Sequence, residues 1–275
     1  MENHIGPFKA TVLGIIQGVT EYLPVSSSGH LVIAQNLFGL KEPELFFDIV
    51  LHIGTLAAVI WYYRKDIFEI VSGTMAGIVE LKNGAKFREV VESQGGFRLM
   101  LLVIIGVIPT GLIGIVFKDD FERMFASVGA VGVMLIITGA ILFITRFTTD
   151  KGRGVLKIHW WEAFLIGVAQ GLAITPGISR SGATISLALF FGIGRETAAR
   201  YSFLIAIPAI LGALVLKFEP NGANIHLSSL LLGFGSSMVV GYLCLVLLVA
   251  LVKRGRLSWF SYYCFLAGGL TLAYL

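Results

Sequence analysis

Gln17-Gly18-Val19-Thr20-Glu21-Tyr22-Leu23-Pro24-Val25-Ser26-Ser27-Ser28-Gly29-His30 sets a carboxylate, three consecutive hydroxyls and an imidazole inside an otherwise apolar region. No uninterrupted helix is expected through it, because proline inside a helix removes a backbone donor and clashes with the preceding turn. Irregular backbone at membrane depth is tolerated only where protein or a watery cavity covers it. Residues 8–39 therefore read as two half-helices of a re-entrant hairpin, with two kinked spanning helices as the alternative. Pro176-Gly177-Ile178-Ser179-Arg180-Ser181-Gly182-Ala183-Thr184 breaks residues 160–194 in the same manner.

A bilayer is the expected solvent. The 275 residues are 56% hydrophobic and 14% charged, with mean hydropathy +0.85, whereas soluble domains carry about 25% charged residues. The net charge of +4 is modest, and no nucleic-acid partner is expected. Cys244 and Cys264 lie in apolar runs without paired spacing and read as packing residues. Met1-Glu2-Asn3-His4 lacks a basic leader region, so no cleaved signal peptide is expected.

Six stretches approach the roughly 20 apolar residues of a full span: 45–63, 98–117, 127–145, 201–217, 229–252 and 257–275. The expected fold is thus an all-α integral membrane protein of about six transmembrane helices plus two re-entrant hairpins. At an offset of 153 residues, Gly14, Gln17, Gly18, Ser26, Ser28 and Gly29 recur as Gly167, Gln170, Gly171, Ser179, Ser181 and Gly182. Three spans follow each hairpin. An odd number inverts the second copy, so residues 1–146 and 157–275 read as inverted repeats of one membrane domain, an arrangement that sets a site near the midplane. With residue 64 inside, fifteen Lys and Arg residues fall on inner connections. Five fall on outer ones: Lys9, Lys41, Lys118, Arg123 and Lys217. The positive-inside rule then puts both termini outside. The long inner connection, about 64–97, is expected as a loop whose 80–97 portion is loop or surface helix.

The polar residues inside this apolar frame are the candidate site. Gln17 and Glu21, four apart, share a helix face. An intramembrane carboxylate marks function. Glu21 can bind a divalent cation or accept a proton, and Gln17 can add an amide oxygen. Pro24 to Gly29 reads as a loop feeding a helix N-terminus, where free N–H groups bind anions. Ser27 and His30, three apart, are spaced for a hydroxyl to meet a base. Arg180 is the one Lys or Arg that no interfacial loop claims. Its fork of donors suits phosphate, with a structural pair to Glu21 as the plainer reading. Ser179, Ser181, Gly182 and Thr184 repeat the hydroxyl- and glycine-rich break around Ser26, Ser28 and Gly29. Asp48 and His52 rank lower, as vestibule residues or a solvated helix end. Tyr62, Tyr63, Trp160, Trp161 and Trp259 read as interfacial anchors.

The two motifs, Gln17-Gly-Val-Thr-Glu21 with Pro24-Val-Ser-Ser-Ser-Gly-His30 and Pro176 to Thr184, resemble those of the undecaprenyl-diphosphate phosphatase, or bacitracin-resistance, family over essentially the whole chain. The resemblance implies an inner-membrane enzyme that removes the terminal phosphate of undecaprenyl diphosphate and regenerates a carrier lipid for peptidoglycan. It implies Glu21, Ser27, His30 and Arg180 as functional positions, a divalent cation (Mg or Ca), and a homodimer. Gln17 stands where many members have Glu. Extra enzyme of this kind confers bacitracin resistance. Attack by Ser27 with His30 as base, by His30 itself, or by water with Glu21 as base all remain open. A flippase or secondary transporter is the alternative, since inverted repeats with broken helices also build transporters. Lipid phosphatases of the phosphatidic acid type are excluded. They place a His five residues beyond the Ser-Arg motif and an Asp after it, and this chain has neither.

Overall fold

The computed structural model describes residues 5–38, 45–125, 127–217 and 225–274. Met1–His4, Lys41, residues 218–224 and the side chain of Lys217 lie outside that description. The chain is an all-α membrane protein. Among the described residues, extended pairing is limited to a single bridge between Arg153 and Ile193.

The first half contains α1 (Pro7–Tyr22), α2 (Ser27–Leu37), α3 (Leu45–Tyr62), α4 (Arg64–Lys82), α5 (Phe87–Ser93), α6 (Gly95–Val116), α7 (Lys118–Phe125) and α8 (Val128–Ile144). The second contains α9 (Trp160–Leu172), α10 (Arg180–Phe190), α11 (Arg195–Lys217), α12 (Leu227–Lys253) and α13 (Phe260–Tyr274). By length and composition α6, α8, α11 and α12 can each cross a membrane, and α3 with α4 makes a fifth such element bent by 71°. The 15 residues of α13 extend about 23 Å at 1.5 Å per residue, short of a roughly 30 Å hydrocarbon core.

Both expected chain breaks are present. With 11 residues each, α2 and α10 reach only about 17 Å, and neither crosses a bilayer alone. The first part of the expected loop over 64–97 is instead helical in α4, while α5 is the surface helix allowed for 80–97. The reason is packing: α4 sets Gly73 and Gly77 against Gly96 and Phe97 of α6, while Phe68 and Met75 stay exposed. Tyr63, expected as an interfacial anchor, is buried, its ring 5.9 Å from that of Phe203 and tilted by 31°. Trp160 and Trp259 do lie under guanidinium groups, of Arg98 at 4.7 Å and Arg256 at 4.5 Å.

Each hairpin packs on a helix from the other half, and small residues permit it. A Cβ added at Gly14 of α1 would lie 2.6 Å from Gly233 O of α12, and one at Gly18 would lie 2.8 Å from Gly241 N. A Cβ at Gly167 of α9 would lie 2.0 Å from Gly106 O of α6. Such small-residue faces drive helix association in lipid, where burial of oil against oil gains little. Helices α8 and α13 close on Gly132 and Gly268. These contacts hold the two hairpin tips against each other in the interior.

Candidate active site

The tips are capped alike. Ser26 precedes α2 and its Oγ accepts the Gly29 N–H at 3.3 Å; Ser179 precedes α10 and accepts the Gly182 N–H at 3.1 Å. Side-chain oxygens at helix starts satisfy donors that the helix cannot. Each serine also lies 3.3 Å from a second hydroxyl, Ser28 Oγ and Ser181 Oγ respectively.

Hydrogen bonds then stitch one tip to the other. Gly177 N–H donates to Ser26 Oγ at 3.1 Å, and Ser181 Oγ donates to Tyr22 O at 2.9 Å. From α8, Thr138 Oγ1 donates to Gly177 O at 2.8 Å and accepts from Ser179 N–H at 3.1 Å. Gly177 has φ +95°, and a Cβ there would lie 2.6 Å from Val131 O. Thr184 faces inward, bonded to Arg180 O at 2.8 Å and within 2.5 Å of Ser202 Oγ. Gly29 lets the tips approach, since a Cβ there would lie 3.2 Å from Gly177 Cα.

Glu21 is the hub. Its Oε1 accepts from Arg180 Nη2 at 2.5 Å; its Oε2 accepts from Ser27 Oγ at 2.6 Å and Gln17 Nε2 at 3.0 Å. The structural pair with Arg180 is therefore present, and it brings the second hairpin's cation to the first hairpin's carboxylate. Arg180 Nη1 is buried without a hydrogen-bond partner, and so is Gln17 Oε1. An unmet buried guanidinium donor is costly, and it is the donor an anion would satisfy.

His30 does not engage Ser27. Its Nδ1 donates to Ser26 O at 2.8 Å and its Nε2 lies 2.7 Å from Tyr263 OH, the two rings stacked at 5.6 Å. The hydroxyl of Ser27 belongs to Glu21 instead. Tyr263 was not singled out in the sequence, and no motif marks it. It reaches His30 from α13, 233 residues away. His52 comes closer to the chemistry than its rank suggested, with Nε2 3.8 Å from Glu21 Oε2. The signal available was its four-residue spacing from Asp48 in an apolar run.

Among the described residues no group of three His, Cys, Asp or Glu side chains is placed to hold a metal ion, so a divalent cation would rest on Glu21 and Gln17. Glu21 and Gln17 are oxygen donors of the required type, and the unpartnered Gln17 Oε1 has lone pairs to offer. The arrangement can thus hold an anion at Arg180 and remove a proton from Ser27 at Glu21.

The family described as bacitracin resistance protein BacA matches residues 10–270. A protein from Desulfatibacillum aliphaticivorans named undecaprenyl-diphosphatase is 48% identical over 96% of this chain and 97% of its own. Proteins of the same name from Desulfosudis oleivorans and Methanosphaera stadtmanae are 46% and 40% identical, over 97% and 96% of this chain and 97% and 96% of theirs. With the two broken helices meeting at Glu21, Ser27 and Arg180, and with similarity across nearly its full length, this chain belongs to the bacitracin resistance protein BacA family.

Proposed function

We propose that this protein hydrolyses undecaprenyl diphosphate to undecaprenyl phosphate and inorganic phosphate. Its relatives carry the name of that enzyme. The observation that bears most on the reading is the unbroken run Ser27 Oγ, Glu21, Arg180, ending in the unmet Nη1 donor. A nucleophile, a proton acceptor and a phosphate grip are contiguous there.

Arg180 and the N–H groups at the starts of α2 and α10 hold the phosphate oxygens, and fixed donors of this kind stabilise the charge that builds in the transition state. Ser27 Oγ bonds to the terminal phosphorus as the bond from phosphorus to the bridging oxygen breaks. The Ser27 proton passes to Glu21 Oε2, and undecaprenyl phosphate departs. Once Glu21 has released that proton to solvent, it takes another from the water whose oxygen bonds to phosphorus as the phosphorus–Ser27 Oγ bond breaks, and returns it to Ser27 Oγ as inorganic phosphate leaves. A divalent cation held by Glu21 and Gln17 would neutralise charge on the leaving lipid phosphate. His30, oriented by Ser26 and Tyr263, holds the start of α2 in place.

The two halves form an inverted repeat, a reading supported by the reciprocal packing of α1 on α12 and α9 on α6. The site then lies near the bilayer midplane and opens to the outer face, with both termini on that side. Regenerating the carrier lipid supplies envelope polymer synthesis, and removing the diphosphate form deprives bacitracin of its ligand.

Turnover quenched in denaturing detergent at neutral pH, with substrate labelled in the terminal phosphate, should leave label on Ser27. Turnover that leaves label on His30, or none on the protein, would overturn this route.

A further inference from the structure

Helix α4 lies across the spanning helices rather than along them. The 18 residues of α3 extend about 27 Å at 1.5 Å per residue, so α3 nearly crosses the hydrocarbon core without help from α4. The chain then turns by 71° into α4. A Cβ added at Gly96 of α6 would lie 2.1 Å from Glu69 O, one at Gly73 would lie 2.9 Å from Gly96 Cα, and one at Gly77 would lie 2.9 Å from Phe97 Cγ. Glu69, Gly73 and Gly77 span two turns of α4 and all meet the first residues of α6. Only a steep crossing at the end of α6 allows this.

The residues of α4 sort onto three faces. Ile70 and Gly77 are buried on the docked side. Phe68, Val71, Met75, Ile78 and Val79 are exposed and fall within about 100° of arc at 3.6 residues per turn. Ser72 and Ala76, also exposed, come next around the helix. An apolar stripe beside a polar one is the pattern of a helix lying in a membrane interface. Charge is sorted as well. Asp66 and Glu69 both pair with Arg200 of α11, and Glu80 Oε1 accepts from Gln94 Nε2 at 2.7 Å. Lys65 and Lys82, near the two ends of α4, have no ion-pair or hydrogen-bond partner among the described residues. Arg64 lies over the Trp61 ring at 4.9 Å. The protein itself satisfies the carboxylates of α4 and leaves the two lysines unmet.

We infer that α4 lies in the headgroup region of the inner leaflet, its apolar stripe among acyl chains and Lys65 and Lys82 on the headgroups of anionic phospholipid. The choice of leaflet rests on the orientation proposed above; the contact with lipid does not. Cations alone would suit any polyanion. Five large apolar side chains set between them call for a surface that is anionic outside and oily beneath. Each Lys or Arg beside such a surface strengthens its attraction by about fivefold.

The test is fluorescence quenching of the full chain in phosphatidylcholine vesicles, with Cys244 and Cys264 replaced and one cysteine carrying bimane. The label at Met75→Cys should be quenched by phospholipids bearing a nitroxide on the acyl chain, and the label at Ala76→Cys by iodide present on both sides of the membrane. Nitroxide phosphatidylglycerol should quench Met75→Cys more strongly than nitroxide phosphatidylcholine. Lys65→Gln combined with Lys82→Gln should lower that preference by about fivefold or more, with the unfolding temperature unchanged. Quenching of Met75→Cys by iodide instead of lipid overturns the contact, and so does quenching by neither, the result if a second copy covers the stripe. A preference for phosphatidylglycerol that the double variant leaves intact overturns the headgroup assignment. An impermeant thiol reagent that labels Ala76→Cys in intact cells overturns the inner-leaflet assignment together with the proposed orientation. Lipid quenching at Met75→Cys separates that failure from loss of the contact itself.

Discussion

Ser26 adopts φ +69°, the one positive φ outside glycine among the described residues. It is held there by three functions at once: capping α2, accepting from Gly177, and lying beside Ser28. Left-handed backbone costs a non-glycine residue about 1–2 kcal/mol, and each buried donor left unmet costs about 1–3 kcal/mol. Ser26→Ala keeps the strain and loses both acceptor contacts, whereas Ser26→Gly loses the contacts and relieves the strain. Thermal unfolding should therefore find both variants destabilised, with Ser26→Gly the milder by about 1 kcal/mol. The reverse order would mean that the backbone there is unstrained. At Arg180 the planar fork matters as well as the charge: one nitrogen holds Glu21 and the other is unmet. Arg180→Lys cannot serve both, and should lose turnover by about 10²–10³-fold, the scale seen for removal of one transition-state donor. Near-normal turnover in that variant would reduce Arg180 to a point charge. Glu21, Ser27 and Arg180 were legible in the sequence because each is expensive in oil and must have a reason to be there. Tyr263 was not, because a tyrosine near a helix start in a membrane protein has a cheaper explanation.

The half-helices depend on close approach more than on side-chain packing. Gly167 abuts Gly106 O, and Gly14 and Gly18 abut the backbone of α12. Inserting a methyl group against rigid backbone typically costs about 1–3 kcal/mol. Gly167→Ala and Gly18→Ala should each lower the unfolding temperature and reduce turnover together, because the tips they support shift with them. Gly235→Ala and Gly269→Ala, where an added Cβ meets nothing within 4 Å, should do neither; equal damage in all four would refute the close-contact account. The breaks in both hairpins could be read from Pro24 and Pro176 with the serines and glycines that follow. The helix α4 could not be read so well. Its charged and apolar residues alternate by face, and the glycines that dock it on α6 resemble loop glycines until the partner helix is known.

Among the described residues, many uncharged polar side chains turn inward while many large apolar ones face outward. Gln17, Gln170, Ser186, Ser229 and Ser237 are buried, while Leu112, Ile115, Leu243 and Leu266 are exposed. That inversion follows from a lipid solvent, and composition alone announced it. Orientation is a separate proposal with its own check. With Cys244 and Cys264 replaced, a single cysteine at Lys118 should react with an impermeant thiol reagent in intact cells, and one at Lys151 only after permeabilisation. The opposite pattern would invert the topology. The pairing of Glu21 with Arg180 shows why the site needed three dimensions: their positions 159 residues apart are joined only when both hairpins fold. Each motif could be recognised separately, but the partner of each charge could not. The most direct measurement is inorganic phosphate released from undecaprenyl diphosphate by the purified protein in detergent, compared with Ser27→Ala and Arg180→Ala. The account predicts steady release by wild type and a loss of at least about 10²-fold in each folded variant. Release that continues undiminished in both variants, or none from well-folded wild type, would contradict a hydrolytic site at the meeting of the two hairpins.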